Sequence, residues 1–513
     1  MRKQVITIVL AACFVACGGG GEKKGGGGGG AKDTLVIEFK SSPTNLDSRV
    51  GNDNASGRVA DLIHSGLVKI TPENDYAPDV AESWETSPDA KTITFHLNPN
   101  AKFQNGQPVK AADVKWTYDS LMDPKFTSSK KSGYSAVDHI EAPDDHTVIF
   151  KLKEPNGGLF DNLTLGITPT GADTNVYKTK PIGAGPYKVV EFRPDDRVEL
   201  EAFDGWHGGA PKIKRVVIRI IPDATTAVLE LRRGSVNFEV NTIPFENVDE
   251  FAKNPDFKVE KKPGSVYQYL AFNMKDPILS KVAVRRAIAH AIDREKIARD
   301  VMRGFAEPTD TIFGKGHWAR AENLPTYPYD PAKAKQLLDE AGYRDPDGNG
   351  PQPRFTITFK TSTDPEANLR AQVMQQMLKE VGIDVKILSS ELGKFLDDIG
   401  KGNFQLYSLS RNGVADPDFY YVIFHSNSFP PGGQNRGYYS NPRVDQLILE
   451  GRSTFDREKR KQIYGEIQKI LQEDLPYLSL YHQQNVTIMR NNIDGYVTYP
   501  AGFLLSVPQM TMR

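Results

Sequence analysis

The sequence predicts an α/β fold of two lobes, with an antiparallel subdomain inserted into the first. Three observations predict it. Strand-like and helix-like patterns alternate in two separate stretches of the chain, the pattern of α/β lobes. Within the first stretch, over about residues 72–181, short runs of period two replace that alternation. About 480 residues follow residue 32, more than one hydrophobic core usually serves.

The first lobe opens with a strand over 34–39 and a helix over 58–68. An apolar strand over 213–221 follows later, Asp223 is placed to cap a helix running through Arg232, and 238–240 is the next strand. These three pieces form a βαβ unit. In the interruption, 92–97 and 146–152 alternate apolar with polar residues, as half-buried antiparallel strands do. The second lobe reads as a strand over 267–273, a long helix over 282–302, then strands over 355–359, 384–388 and 404–409 separated by helices over 366–381 and 392–399. Strand and helix in strict succession imply a parallel sheet with right-handed crossovers. Helices over 443–451 and 457–472 close the lobe, and 477–481 returns the chain toward the first. The expected plan is lobe I from 33–71, 182–265 and 482–513, the insert from 72–181, and lobe II from 266–481. Two such lobes enclose a cleft, and ligands of open α/β sheets sit beyond the carboxyl ends of the strands.

The N-terminus reads as an export signal. Arg2 and Lys3 precede an apolar run from Val5 to Ala16 that is too short for a membrane span, and small residues lead to a cysteine. Both cysteines of the chain, Cys13 and Cys17, lie here, so a mature protein has no disulfide to form. Residues 1–16 are the expected signal peptide, and Cys17 with the glycine-rich stretch to residue 32 is an expected flexible tether.

Charge and motifs exclude several functions. With the signal removed, 62 basic residues face 65 acidic ones, which gives no electrostatic case for nucleic acid. No Gly-x-Ser-x-Gly, His-Glu-x-x-His or phosphate-loop motif occurs, and no two of the nine histidines stand at helical spacing. The run Asp345-Pro346-Asp347-Gly348-Asn349-Gly350 begins like a calcium loop, but its twelfth position is Thr356 rather than Glu. A solvated turn is expected there. The chain calls for no catalytic residue, metal or cofactor.

Several longer runs carry a resemblance. Ile63-His64-Ser65-Gly66-Leu67-Val68, Ala77-Pro78-Asp79-Val80-Ala81-Glu82-Ser83-Trp84, Lys102-Phe103-Gln104-Asn105-Gly106-Gln107-Pro108, Gly183-Ala184-Gly185-Pro186-Tyr187 and Val284-Arg285-Arg286-Ala287-Ile288-Ala289 follow one another in order. So do Ala415-Asp416-Pro417-Asp418 and Tyr439-Ser440-Asn441-Pro442. Together they resemble the family 5 extracellular solute-binding proteins of oligopeptide, dipeptide and nickel ABC importers. The resemblance implies a bilobed periplasmic-binding-protein-like fold of type II, in the large peptide-binding class. It implies a peptide or peptide-sized cargo, an ABC permease as partner and a monomer. The cysteine then resembles that of a bacterial lipobox: Leu10-Ala11-Ala12-Cys13 has the better consensus, while Phe14-Val15-Ala16-Cys17 gives the longer apolar core, and Cys17 is preferred as the lipidated residue. Trp84, Phe95 and Trp116 read as core aromatics, and Gly183 and Gly185 as positions where backbones cross near the hinge.

Ligand-contacting residues are expected on the loop leaving the strand over 404–409. In peptide-binding members the position four before the proline is an aspartate that pairs with the α-amino group; here it is Gly413. Arg411 offers a fork for a carboxylate, Asn412 adjoins it, and Asp416 reads either as a ligand group or, preferably, as a helix cap before Pro417. Arg436 sits in a glycine-rich loop able to cover the cleft. Asn52 and Asp53 stand where members run a segment beside the ligand, and Tyr481 is the expected aromatic wall. A non-peptide cargo such as a nickel chelate, haem, opine or sugar is the alternative that Gly413 motivates.

Overall fold

The structure is a computed structural model that describes residues 34–513 except 349, 412, 413, 415, 431 and 432. One 11-stranded sheet runs through both lobes. At its centre two long strands, Phe257–Phe272 and Tyr477–Arg490, lie antiparallel and cross from one lobe to the other. In lobe I the end of the second crossing strand pairs with Phe238–Val240, followed by Thr34–Phe39, Arg215–Ile220, Arg197–Ala202 and Tyr187–Arg193. In lobe II the end of the first pairs with Leu406–Arg411, followed by Phe355–Ser362 and Ile383–Ser390.

Each lobe grows from the crossing pair by local rules. Thr34–Phe39 pairs in parallel with both Arg215–Ile220 and Phe238–Val240, so the βαβ unit closes around it. The intervening helix, Ala224–Arg233, starts where the Asp223 carboxylate accepts the Thr226 N–H at 2.8 Å and stops at Gly234 in the left-handed region. In lobe II the three strands 355–362, 383–390 and 406–411 are parallel, as their separation by helices requires.

Two elements differ from the expectation. The helix over 58–68 is Asn54–Ile63, capped by Asp53, and Val68 already belongs to a short strand. The long helix over 282–302 is broken: Val282–Ala291 ends at Ile292, Asp293 caps the next turn through the Lys296 N–H, and the chain finishes in a π turn, Ile297–Val301. Apolar periodicity continues across the break, while the capping carboxylate interrupts the helix.

The insert has its own four-stranded antiparallel sheet, in the order Ala81–Thr86, Thr92–Leu97, Thr147–Leu152, Val137–Glu141, and its own core of Phe95, Phe150, Tyr118 and Phe103. Trp84 packs half-buried against that core, whereas Trp116 lies outside it and covers the Arg49 guanidinium at 4.8 Å. Gly183 and Gly185 mark the joint between insert and lobe I rather than the hinge. Any Cβ there would strike the backbone of Ile63 and His64, and the Gln104 side chain bridges the same spot, accepting the Gly183 N–H at 3.0 Å and donating to Ile63 O at 2.8 Å.

Arg285, inside one of the conspicuous sequence runs, is structural. It is 5% exposed and donates to the carbonyls of Leu279 and Ser280 at 2.8 Å and of Asp474 and Leu475 at 3.1 Å. These bonds hold the end of helix Arg457–Asp474, where Leu475 turns left-handed to enter the crossing strand. Arg285→Met leaves those carbonyls without a donor. We expect it to lower unfolding stability by about 3 kcal/mol, read from the denaturant midpoint, with an unchanged far-ultraviolet spectrum.

Candidate functional site

A cavity of about 660 Å³ lies between the insert and lobe II. The insert contributes Gly133, Asn156, Asp161 and Asn162; lobe II contributes Asp416, Asp418, Phe419, Gln434 and Arg452. The lobe II residues stand just beyond the carboxyl end of strand Leu406–Arg411, as the sheet topology requires of a ligand cleft. Its size fits a solute of a few residues. The two sides touch: the Gly157 N–H donates to the Arg452 carbonyl at 2.9 Å, and Asp75 pairs with Arg457.

Arg411 ends that strand. Its guanidinium donates to Gln434 Oε1 at 2.6 Å and lies 4.3 Å over the Phe419 ring, so two cavity-lining residues hold it. Among the described residues no carboxylate pairs with it. Arg436 is half-buried, with its N–H on the Gln434 carbonyl at 2.8 Å and its charge felt by Tyr407 and Tyr477; among the described residues it too has no acid partner. Lobe II therefore has two arginines without acid partners among the described residues, Arg411 against the lining residues Gln434 and Phe419 and Arg436 two positions after Gln434.

Asp416 lines the cavity, its carboxylate accepts the Asp418 N–H at 2.8 Å, and it is engaged by a neighbouring cation. At 4% exposure it is gripped by Arg460 through two bonds of 2.7 and 3.0 Å, and the following helix, Phe419–Phe424, begins beyond it with Asp418 at the cap position. Burial works against the Arg460 charge, yet Asp416 holds that guanidinium above its ordinary value. Tyr481 is 2% exposed inside the lobe II core, where its hydroxyl accepts from Arg370 at 3.0 Å, so it forms no cleft wall. Asp53 caps helix Asn54–Ile63 and accepts the Ser56 N–H at 2.8 Å; burial alone would raise its carboxyl, but bonds from Ser56 and Thr44 hold it below the usual range. Asn52 is exposed and donates to Ser129 Oγ at 2.6 Å, linking lobe I to the insert. Asn412 and Gly413 lie outside the described residues.

The cleft also holds groups that the sequence did not announce. Asp161 sits on the insert with the Tyr76 hydroxyl 3.3 Å from its carboxylate; burial first, then the nearby Asp416 charge, pushes it up to about 7. Asp418 has Arg452 at 3.4 Å, and burial, against the pull of Arg452, pushes it up to about 6. The available signal was the pair Gly157-Gly158: a Cβ on Gly158 would strike Asp418, and one on Gly157 would crowd Arg460 at 3.2 Å. Among the described residues no cluster of His, Cys, Asp and Glu could hold a metal ion. The Asp345 carboxylate accepts the Gly348 N–H at 2.9 Å, as a turn does.

Comparison with known proteins places this geometry. The family model described as "Bacterial extracellular solute-binding proteins, family 5 Middle" matches residues 75–430. The oligopeptide-binding protein AppA of Bacillus subtilis is 28% identical over 494 residues, covering 92% of this chain and 90% of that protein. Its structure in complex with a nonapeptide superposes with a TM-score of 0.77 over 94% of this chain and 99% of that one. The glutathione-binding protein GsiB of Pectobacterium atrosepticum is 29% identical over 504 residues, 95% of each chain. NikZ of Campylobacter jejuni, solved with Ni(L-His), matches at 25% identity with a TM-score of 0.78, over 94% of this chain and 100% of that one. With more than half its length matched by the family model and its cleft where the fold puts it, the chain belongs to the bacterial extracellular solute-binding proteins of family 5.

Proposed function

We propose that this protein is the lipid-anchored receptor of an ABC importer, and that it closes on a peptide or peptide-sized solute through the solute's carboxylate and delivers it to the permease. The observation that carries the carboxylate is Arg411, held beside the cleft by Gln434 and Phe419 with no acid partner among the described residues. A guanidinium fork matches a carboxylate in two parallel bonds. Arg436, also without an acid partner, adds positive charge on the same side. Relatives agree in kind: AppA is named for oligopeptides, GsiB for glutathione, and the structural neighbour AgaA holds agropinic acid.

The α-amino end is read differently. Gly413 replaces the aspartate that the family uses, and Asp416, the other acid of the loop, is occupied by Arg460. The cleft thus selects for an anionic end more than for an ammonium. This favours, as a second reading, a carboxylate-bearing solute without a free α-amino group.

Residues 1–33, with Cys13, Cys17 and the glycine tether, lie outside the described residues, and the anchor rests on the sequence. No described helix is long and apolar enough to cross a membrane. An acyl chain on Cys17 and a flexible leash would keep the receptor near its permease. Cys17→Ser is expected to move the protein from the membrane fraction to the soluble fraction, while Cys13→Ser leaves it membrane-bound; the reverse pattern assigns the lipid to Cys13.

Calorimetric titration with di- to decapeptides tests the cargo. For a peptide that binds, amidation of its C-terminus is expected to weaken affinity roughly tenfold or more, the value of a charged hydrogen bond, and N-acetylation to change it by less than about threefold. Arg411→Ala should lose the same factor for the free acid and nothing further for the amide. Silence across all peptide lengths rejects the peptide cargo, and equal loss on acetylation rejects the anionic preference.

A further inference from the structure

Asp161 stands on the insert side of the cavity, close to where the insert touches lobe II. It belongs to the short helix Leu159–Asn162 of the insert, and the acids whose charge acts on its carboxylate, Asp416 and Asp418, belong to lobe II and line the same cavity. The glycine pair before it allows this approach, since a side chain on Gly158 would occupy the place of Asp418.

The charges at this seam do not balance. Arg460 is committed to Asp416 at 2.7 and 3.0 Å, and Arg452 stands 3.4 Å from Asp418. Arg457 is paired with Asp75 across the same seam. Tyr464, on the helix with Arg460, is uncharged, and Glu154 adds a further negative field on Asp418. No cation remains for Asp161 among the described residues, whose one polar partner there is the Tyr76 hydroxyl at 3.3 Å. Four carboxylates, Asp75, Asp161, Asp416 and Asp418, therefore meet three guanidiniums where the halves touch. A half-buried negative charge beside other acids and without a cation of its own is costly, and an acid so placed prefers to be neutral.

We infer that closing the cleft takes up one proton on Asp161, so that acid favours the closed, solute-holding state and a rise in pH favours opening. The inference rests on the reading that the protein opens and closes around a solute. The sign follows from linkage. In the open state lobe II leaves, water returns to the carboxylate, and it titrates near its ordinary 3.8; in the closed state it titrates at about 7. Below 3.8 both states hold the proton and closure is independent of pH. Between 3.8 and about 7 the closed state binds more protons, so the closed-to-open ratio falls by up to about tenfold per pH unit. Above that window both states are ionised and the ratio is level at its lowest value.

The test is the distance between spin labels on Glu85→Cys in the insert and Lys461→Cys in lobe II. It is measured in the full-length chain from pH 4 to 9 with a fixed concentration of pooled tri- to pentapeptides. The closed population should fall through the window and level off above it. Asp161→Asn should keep only the part of the fall below about pH 6 that Asp418 carries, be level above it and be more closed than the wild type at pH 8, and Asp418→Asn, which keeps Asp161 but removes a neighbouring charge, should shift the upper part of the fall to lower pH. A level wild-type profile, or an undiminished fall in Asp161→Asn, overturns the inference alone. A distance that never shortens at any pH overturns the inference and the solute-closing reading together.

Discussion

Everything in this molecule hangs on the antiparallel pair Phe257–Phe272 and Tyr477–Arg490. The pair slips register between Pro263 and Tyr267 and again between Gln268 and Tyr269. On one side of the slips it carries the lobe I sheet, on the other the lobe II sheet. Pro263 lacks the N–H for a ladder bond, and a Cβ on Gly264 would strike the Gln483 carbonyl, so the pair is weakest in regular pairing where it passes between the lobes. A sheet continuous in topology and interrupted at one level can bend there without unfolding either core. The lobe II strands are parallel to one another and Leu406–Arg411 runs antiparallel to the first crossing strand, so the loop after Arg411 leaves beside Tyr267 at the crossing, and the cleft follows.

Within the cleft, charge separates structural groups from available ones. Asp416 with Arg460 is buried, bidentate and internal to lobe II. Such pairs fix geometry and have no capacity left for a solute. Arg411 is held by neutral neighbours, and neither it nor Arg436 is paired with an acid among the described residues. Asp161 is the inverse case, an acid whose surroundings change with the distance between the halves. A positive wall suited to a carboxylate and an acid neutralised by a proton are compatible, because neither asks the solute for an ammonium.

Much of this fold was legible because periodicity is local. The lobe II strands, the helices between them and the Asp223 cap follow from neighbours in sequence. The single continuous sheet was not legible, since pairing 257–272 with 477–490 joins segments about two hundred residues apart. Tyr481 was misplaced for a related reason. The register slip beside it puts Leu480 and Tyr481 both in the lobe II core, which a strict period of two forbids. Asp416 read as a cap because Asp-Pro is a helix-start pattern; its partner Arg460 lies 44 residues on, and only tertiary packing unites them. The place of Arg411 at a strand end was legible in the sequence, whereas Asp161 acquires meaning only against lobe II.

The central claim is that the cleft holds a peptide-sized solute by its carboxylate. A native mass spectrum of the purified protein tests this most directly, because a co-purified solute adds its mass to the chain and can be released and identified. The account predicts a bound species of a few hundred daltons that gains the mass of at least one methyl group on mild esterification and is lost in Arg411→Ala. A bound species with no carboxylate, or one retained undiminished in Arg411→Ala, would contradict it.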